Sequence, residues 1–145
     1  MVRIARLPDL PKILPMMVEF NREEAIAWEP QAGERALAKL LGSPQLGLVG
    51  LLEDSQSLFG YFVVTWGFDL EWRGRDAFLT ELYVVPERRG QGYGAAALEA
   101  VEDVARQSEA RALHLLVRTD NVVAQHLYRE AGYVAPPRDF LSKPL

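Results

Sequence analysis

The chain of 145 residues contains no cysteine. That absence removes disulfides, thiolate metal sites and a cysteine nucleophile together. It fits a reducing compartment, so a cytoplasmic protein is expected. Histidine is scarce: His114 and His126 are the only two, and neither has metal-ligand company in the sequence, so both read as structural and no metal is expected. No run of ~18 apolar residues occurs, and no transmembrane helix is expected. Met1-Val2-Arg3-Ile4-Ala5-Arg6 alternates charged and apolar residues and lacks the apolar core of a secretory leader. There is no basic stripe. The net charge is −4 and Arg88-Arg89 is the one notable basic pair, so a nucleic-acid partner is not expected. A mildly acidic surface either suits a cationic small molecule or simply keeps a small protein in solution.

What is present is ordinary globular material, 49% hydrophobic and 25% charged, enough for one domain over residues 1–145. Val2 to Leu7 reads as a short strand. Leu10, Ile13, Leu14, Met17 and Val18 form an apolar helical stripe. Asp9 is placed to cap that helix, with Pro11 in its first turn. Pro15 falls inside it and predicts a kink or a split. A second helix is expected from Gly33 to Leu41. Leu46 to Leu52 and Leu58 to Phe68 form a hairpin around Glu53-Asp54-Ser55-Gln56. After a turn at Trp72-Arg73-Gly74-Arg75, Ala77 to Val85 reads as a mid-sheet strand. Ala97, Leu98, Val101, Val104 and Ala105 mark the next helix, and Ala112 to Val117 another buried strand. The last helix carries Ala124, Leu127, Tyr128 and Ala131, with Asp120 or Asn121 as its cap and Gly132 as its stop. The tail, Tyr133 to Leu145, predicts one or two edge strands, kept short by Pro136-Pro137. The order β-α-α-β-β-β-α-β-α-β is mixed α/β.

The most informative segment is Glu81-Leu82-Tyr83-Val84-Val85-Pro86-Glu87-Arg88-Arg89-Gly90-Gln91-Gly92-Tyr93-Gly94. It is a strand, a short turn, and a glycine-rich loop opening into a helix. Glycines at alternate positions clear side chains away, so several N–H groups can converge at a helix start, where they are unpaired and partly positive. Such a place binds phosphate or pyrophosphate. A Walker loop would need Lys then Ser or Thr after the last glycine, and Ala95-Ala96-Ala97 follows instead. A dinucleotide fingerprint would need its third glycine one residue later. Spacing alone leaves an anion site and a plain strand-to-helix turn both open.

Two linked motifs go further. Arg89-Gly90-Gln91-Gly92-Tyr93-Gly94 matches the (Gln/Arg)-x-x-Gly-x-(Gly/Ala) signature of the GNAT superfamily of N-acetyltransferases. Asn121-Val122-Val123-Ala124-Gln125-His126-Leu127-Tyr128-Arg129-Glu130-Ala131-Gly132-Tyr133 resembles that superfamily's second acetyl-CoA motif. Close resemblance runs from about Phe78 to Tyr133. It implies the GNAT fold, an α/β (mixed α+β) architecture whose mixed, mostly antiparallel sheet carries helices on both faces and a splayed parallel strand pair, with pantetheine in the gap. It also implies acetyl transfer from acetyl-CoA to an amine. Coenzyme contacts fall by resemblance to the backbone of Leu82, Tyr83 and Val84, to the loop residues Arg89, Gly90, Gln91, Gly92, Tyr93, Gly94 and Ala95, and to Asn121 and Ala124. Asn121 either bonds pantetheine or only caps its helix. Many relatives pair through tail strands, so a homodimer through Phe140 to Leu145 is a further expectation. The chain looks somewhat like the diamine/polyamine and small bacterial HPA-type branches.

Amide formation needs a base for the amine, a donor for the oxyanion and a proton for the leaving thiolate. Tyr128 lies two turns after Asn121, on the same side of its helix, and its phenol is protonated at neutral pH. The resemblance makes it the general acid; without the motif it is a core aromatic. Glu81 is the one formal charge between Ala77 and Val85. Buried carboxylates need a partner or a task. Glu81 is therefore the candidate base, or an ion-pair partner of a residue such as Arg118, or solvated. Alternation sets Leu82 and Val84 on one sheet face and Glu81 and Tyr83 on the other. Trp28, Trp66, Phe68 and Trp72 either line an acceptor pocket or serve as core or dimer contacts. A non-catalytic acyl-CoA sensor on the same fold is the rival function. A phosphate-binding module of another fold is the second.

Overall fold

The computed structural model describes residues 1–145. Five strands form a single sheet in the order β1-β2-β3-β4-β5: β1 (Val2–Ile4), β2 (Gly47–Glu53), β3 (Leu58–Asp69), β4 (Gly74–Val84) and β5 (Leu113–Leu115). The first four pair antiparallel, and β4 and β5 pair parallel. The helices are α1 (Leu10–Glu23), α2 (Pro30–Leu41), α3 (Tyr93–Gln107) and α4 (Val122–Glu130).

Side chains alternate across the pleated strands, so the sheet has an apolar layer on each face. On one face Ile13, Met16 and Met17 of α1 and Leu37 of α2 pack on Val49, Leu51, Tyr61, Val63 and Tyr83. On the other, Ala97, Leu98, Val101 and Ala105 of α3 pack on Phe62, Val64, Ala77 and Leu79, with Leu127 and Tyr128 of α4 at the margin. Ala77 and Leu79 share the α3 face, yet Tyr83 sits on the α1 face although its number has the same parity. The reason is a bulge. Val63 pairs with Glu81 and Val64 with Leu79, so Thr80 is an extra residue in β4. It reverses the alternation just before the glycine loop. Glu81 therefore faces α1, while Leu82 and Val84 face α3, as alternation over this short stretch predicts.

The parallel pair is short. Ala77, Phe78 and Leu79 are matched with Leu113, His114 and Leu115, and no pairing follows. Beyond that point β4 runs on to Val84 paired with β3 on one edge and with no strand along the other. This is the splay that the resemblance implies. It also corrects the predicted strand at Ala112 to Val117, which ends at Leu115 because the chain there leaves its only neighbour.

Three further expectations change. Pro15 does not split the helix, and α1 runs unbroken from Leu10 to Glu23. Pro11 and Pro15 are both exposed, so the carbonyl that Pro15 leaves without a donor faces water. Asp9 does not cap α1. Its carboxylate accepts from Arg6 N at 2.8 Å and takes Arg3 Nη1 at 2.9 Å. The tail from Tyr133 forms no strand, so the strand edge expected to support a homodimer is not formed. Prolines withhold N–H donors there, and Phe140 packs on Phe78 instead, ring centroids 6.3 Å apart.

Asp9 supplies a stability test. The Arg3 guanidinium beside it, helped by the Arg6 N–H, holds its carboxyl down at about 2. A lowered folded-state value adds stability above the unfolded value and loses it as pH falls. Asp9→Asn is expected to cost about 1 kcal/mol at pH 7, since Arg3 is partly exposed. In urea titrations the gap from wild type should close between about pH 4 and pH 2.

Candidate active site

The splay opens a cleft of about 1210 Å³. One wall is β4 from Leu79 to Val84. The opposite wall is the chain from Leu116 to Asn121 and the first turns of α4. The glycine loop closes one end, and the C-terminal end of α1 contributes Phe20, Glu23, Glu24 and Ile26.

At the loop, Gly90 and Gly92 have φ of +72° and +84°, left-handed values that favour glycine. A Cβ on either would meet no atom within 4 Å, so the backbone borders open space. Gly92 is the N-cap of α3. The N–H groups of Gly90, Gln91, Gly92, Tyr93, Gly94 and Ala95 find no acceptor in the chain. That array can hold an anionic group at a helix start. Gly90, Tyr93 and Gly94 line the cleft. The Gln91 side chain turns back to Glu87 O at 3.1 Å. Arg88 reinforces the loop from behind: it pairs with Asp54 at 2.9 Å and lies over the rings of Phe59 and Tyr93, 5.3 Å and 5.9 Å from their centroids.

Arg89 lines the cleft, but its charge is engaged. It meets both carboxylate oxygens of Glu23 at 2.9 Å and 3.0 Å, gives Nε to Val84 O at 2.8 Å, and lies 5.4 Å from the Tyr83 ring centroid. An ion pair this exposed is worth little in water and yields readily to a competing anion.

Glu81 accepts from Tyr61 Oη at 2.6 Å and has no cationic partner. Burial pushes its carboxyl above the usual range, and the Tyr61 hydrogen bond pulls it partly back. The ion pair with Arg118 is not formed. Arg118 pairs with Asp120 through Nε at 3.0 Å and Nη2 at 2.8 Å, and its Nη1 caps Glu23 O at 3.0 Å. The local partner two residues away wins because the splay carries Arg118 away from β4.

Asn121 caps α4, its Oδ1 accepting from Ala124 N at 3.1 Å. Gly132, at φ +92°, ends the helix, and Tyr133 N reaches back to Tyr128 O at 3.0 Å. Between these caps α4 presents Ala124, Leu127 and Tyr128 to the cleft. Tyr128 is half-buried and its hydroxyl has no partner in the chain; burial, with Glu24 nearby, pushes the phenol above its ordinary value.

Most of the residues that the motifs point to thus share one cleft: Glu81, Leu82, Tyr83, Val84, Arg89, Gly90, Tyr93, Gly94, Asn121, Ala124 and Tyr128. Gln91, Gly92 and Ala95 lie in the adjoining loop and first helical turn rather than in its lining. Trp28, Trp66, Phe68 and Trp72 do not line it; Phe20 and Phe140 do. Trp28 packs on the core cluster under α1 and α2, and Trp66 gives Nε1 to Pro44 O at 3.1 Å. His114 bonds Asp76 Oδ2 at 3.1 Å. Sequence reading missed the α1 residues of the cleft, because a stripe of apolar residues reports what faces the core, not what borders a gap.

A half-splayed sheet facing a donor-lined helix start is the arrangement that the resemblance implies, and comparison with known proteins agrees. The acetyltransferase (GNAT) family profile matches residues 14–133. A Bos taurus thialysine N-epsilon-acetyltransferase is 27% identical over 147 residues, covering 91% of this chain and 82% of its own. A candidate ribosomal protein bS18-alanine N-acetyltransferase of Bacillus subtilis (strain 168) is 37% identical over 131 residues, covering 90% of this chain and 78% of its own. Among solved structures, integron cassette protein HFX_CASS3 from a salt-marsh metagenome superposes with a TM-score of 0.88 at 34% identity, over 99% of this chain and 90% of that one. The chain belongs to the GNAT family of acetyltransferases and is an N-acetyltransferase.

Proposed function

We propose that the protein moves an acetyl group from acetyl-CoA to a primary amine by direct attack in a ternary complex. The observation that carries this reading is the convergence, in one cleft, of a free N–H array, a half-buried carboxylate without a cation and a phenol without a partner. The N–H groups at Gly90 to Ala95 would hold the pyrophosphate. The open edge of β4 from Leu82 to Val84, on the side away from β3, would bond pantetheine as an added strand, in line with the resemblance. Acetyl-CoA supplies the activated thioester, and the chain supplies the rest. Glu81 takes a proton from the ammonium, the amine nitrogen bonds the acetyl carbon, and the C–S bond breaks. Tyr128 gives its proton to the sulfur; the second proton that the nitrogen sheds on becoming an amide passes through water to restore the phenol, and Glu81 returns its proton to solvent. No covalent enzyme intermediate is required, since the amine is itself the nucleophile.

The acceptor side is acidic. Glu24 is half-buried in the cleft and has no ion-pair partner, while Glu23 and Asp120 are paired with arginines. It also follows the last residue of α1, where the helix dipole disfavours an anion. That placement suits a positively charged acceptor. The acceptors in the relatives' names, the ε-nitrogen of thialysine and an alanine of ribosomal protein bS18, share an amine nitrogen.

Calorimetry with acetyl-CoA, CoA and ATP, followed by thiol release over a panel of diamines, lysine analogues and peptide N-termini, tests the reading. Binding of acetyl-CoA with amine-dependent thiol release is the expected result. Binding without release for any amine would favour a sensor, and no binding would remove the coenzyme site. Glu24→Gln is expected to raise KM for a dicationic acceptor about 3–10-fold, with KM for acetyl-CoA unchanged; the loss should shrink at high salt.

A further inference from the structure

Tyr61 lies wholly in the core, with no exposed surface, in the middle of β3 opposite Tyr83. Its ring meets Phe20 edge-on at 6.5 Å and Tyr83 at 6.0 Å. It is not part of the cleft wall, yet its hydroxyl reaches along the shared sheet face to Glu81 Oε2 at 2.6 Å. An O–H to carboxylate bond of that length is of the strong, charge-assisted kind. The rest of the Tyr61 side chain is clamped by packing, so the position of its oxygen is set by the core and not by Glu81.

The bulge at Thr80 makes the meeting possible. Without the extra residue Glu81 would face α3, and Tyr61 would be on the wrong side of the sheet. One carboxylate oxygen is then tied to the core, and Oε1 has no partner in the chain. Other charged or titratable groups surround the cleft: Tyr83 on β4, Glu23 and Glu24 at the end of α1, Arg88 and Arg89 before the loop, Tyr93 at the start of α3, Arg118 and Asp120 after β5, and Tyr128 on α4. None of them bonds Glu81.

We propose that Tyr61 is the positioning residue of the active site, holding Glu81 so that Oε1 alone is presented to the acceptor amine. This rests on the reading of Glu81 as the base. A free Glu side chain in a cleft samples several rotamers, and proton transfer needs one of them. Tyr61 removes that search. It also favours the ionised carboxylate against its burial, so Glu81 is ready as a base at a lower pH than burial alone would allow.

The test is Tyr61→Phe in the full chain, with two readouts. One is the titration of the Glu81 side-chain carboxyl by carbon-13 NMR, identified by its loss in Glu81→Gln. The other is the pH profile of kcat/KM for thiol release. Losing a hydrogen bond to a charged group is expected to move the Glu81 titration upward by about 1–2 pH units, and the acid limb with it. KM for acetyl-CoA should stay within about twofold, because the loop N–H groups supply that binding. A 3,5-difluorotyrosine at position 61, a stronger donor of nearly the same shape, should move both readouts downward; it carries the test alone if Tyr61→Phe does not fold. A Glu81 titration that ignores both variants would overturn the proposal. A titration that moves while the acid limb stays still would also overturn it, and would do so by showing that Glu81 is not the base.

Discussion

Tyr128→Phe is expected to slow turnover by about 10²–10⁴-fold, the usual contribution of a positioned general acid. The change removes one oxygen and keeps the ring, which packs beside α3 and lies 6.0 Å from Tyr133. Its hydroxyl holds no bond within the chain, so no structural partner is stranded by the loss. The fold and the affinity for acetyl-CoA should therefore be nearly unchanged. Burial holds the phenol above its ordinary value, so the proton is retained throughout the neutral range and lost only in strong alkali. Where the wild type shows a basic limb from that loss, Tyr128→Phe should lack it. Full turnover in the variant, with chemistry demonstrated as the slow step, would make Tyr128 a packing residue and leave the thiolate to water. The slow step must be established first, because product release can hide a missing acid.

Gly92→Asp is expected to weaken acetyl-CoA binding on the order of 100-fold. The position is the N-cap of α3, at φ +84°, with open space where a Cβ would go. An aspartate side chain fits there sterically, and Asp tolerates the left-handed region better than most residues, at roughly 1 kcal/mol. Its carboxylate would satisfy the same N–H groups that are proposed to hold the pyrophosphate, and repel that group besides. Thermal denaturation should show a midpoint lower by only a few degrees. Gly92→Ala carries the backbone strain without the charge, so the difference between the two variants isolates the electrostatic part. Unchanged affinity in a folded Gly92→Asp protein would remove the coenzyme assignment at its core.

Much of the site was legible because it is local. A glycine loop after a strand and before a helix needs only its neighbours to form, and the donor array follows from the helix start itself. The cap at Asn121 and the stop at Gly132 are local in the same sense, and both occur where the residue types predict. The alternation of Glu81, Leu82, Tyr83 and Val84 was readable too, since it spans fewer residues than any irregularity. Boundaries of α1, β2, β3 and β4 differ from expectation by a few residues at most. The α2 start was missed by three residues, as was that of β4: the helix begins at Pro30, with the Glu29 side chain accepting from Ala32 N at 2.6 Å, a cap that Glu rarely supplies.

The remainder was decided by packing between distant segments. The sequence alone determined the order of elements through α4, the donor-rich loop, the second motif on α4, and which residues could offer a proton or take one. Only the tertiary structure decided that β4 and β5 part after Leu79, that Thr80 bulges, and that Tyr61 rather than Arg118 reaches Glu81. It alone brought Glu23 and Glu24 to the cleft and turned the tail onto Phe78. The physical reason is common to all of these. A strand's period reports which face a residue takes, but a bulge, a splay or a cross-strand hydrogen bond depends on what the neighbouring strand and helix leave room for. No single segment carries that information.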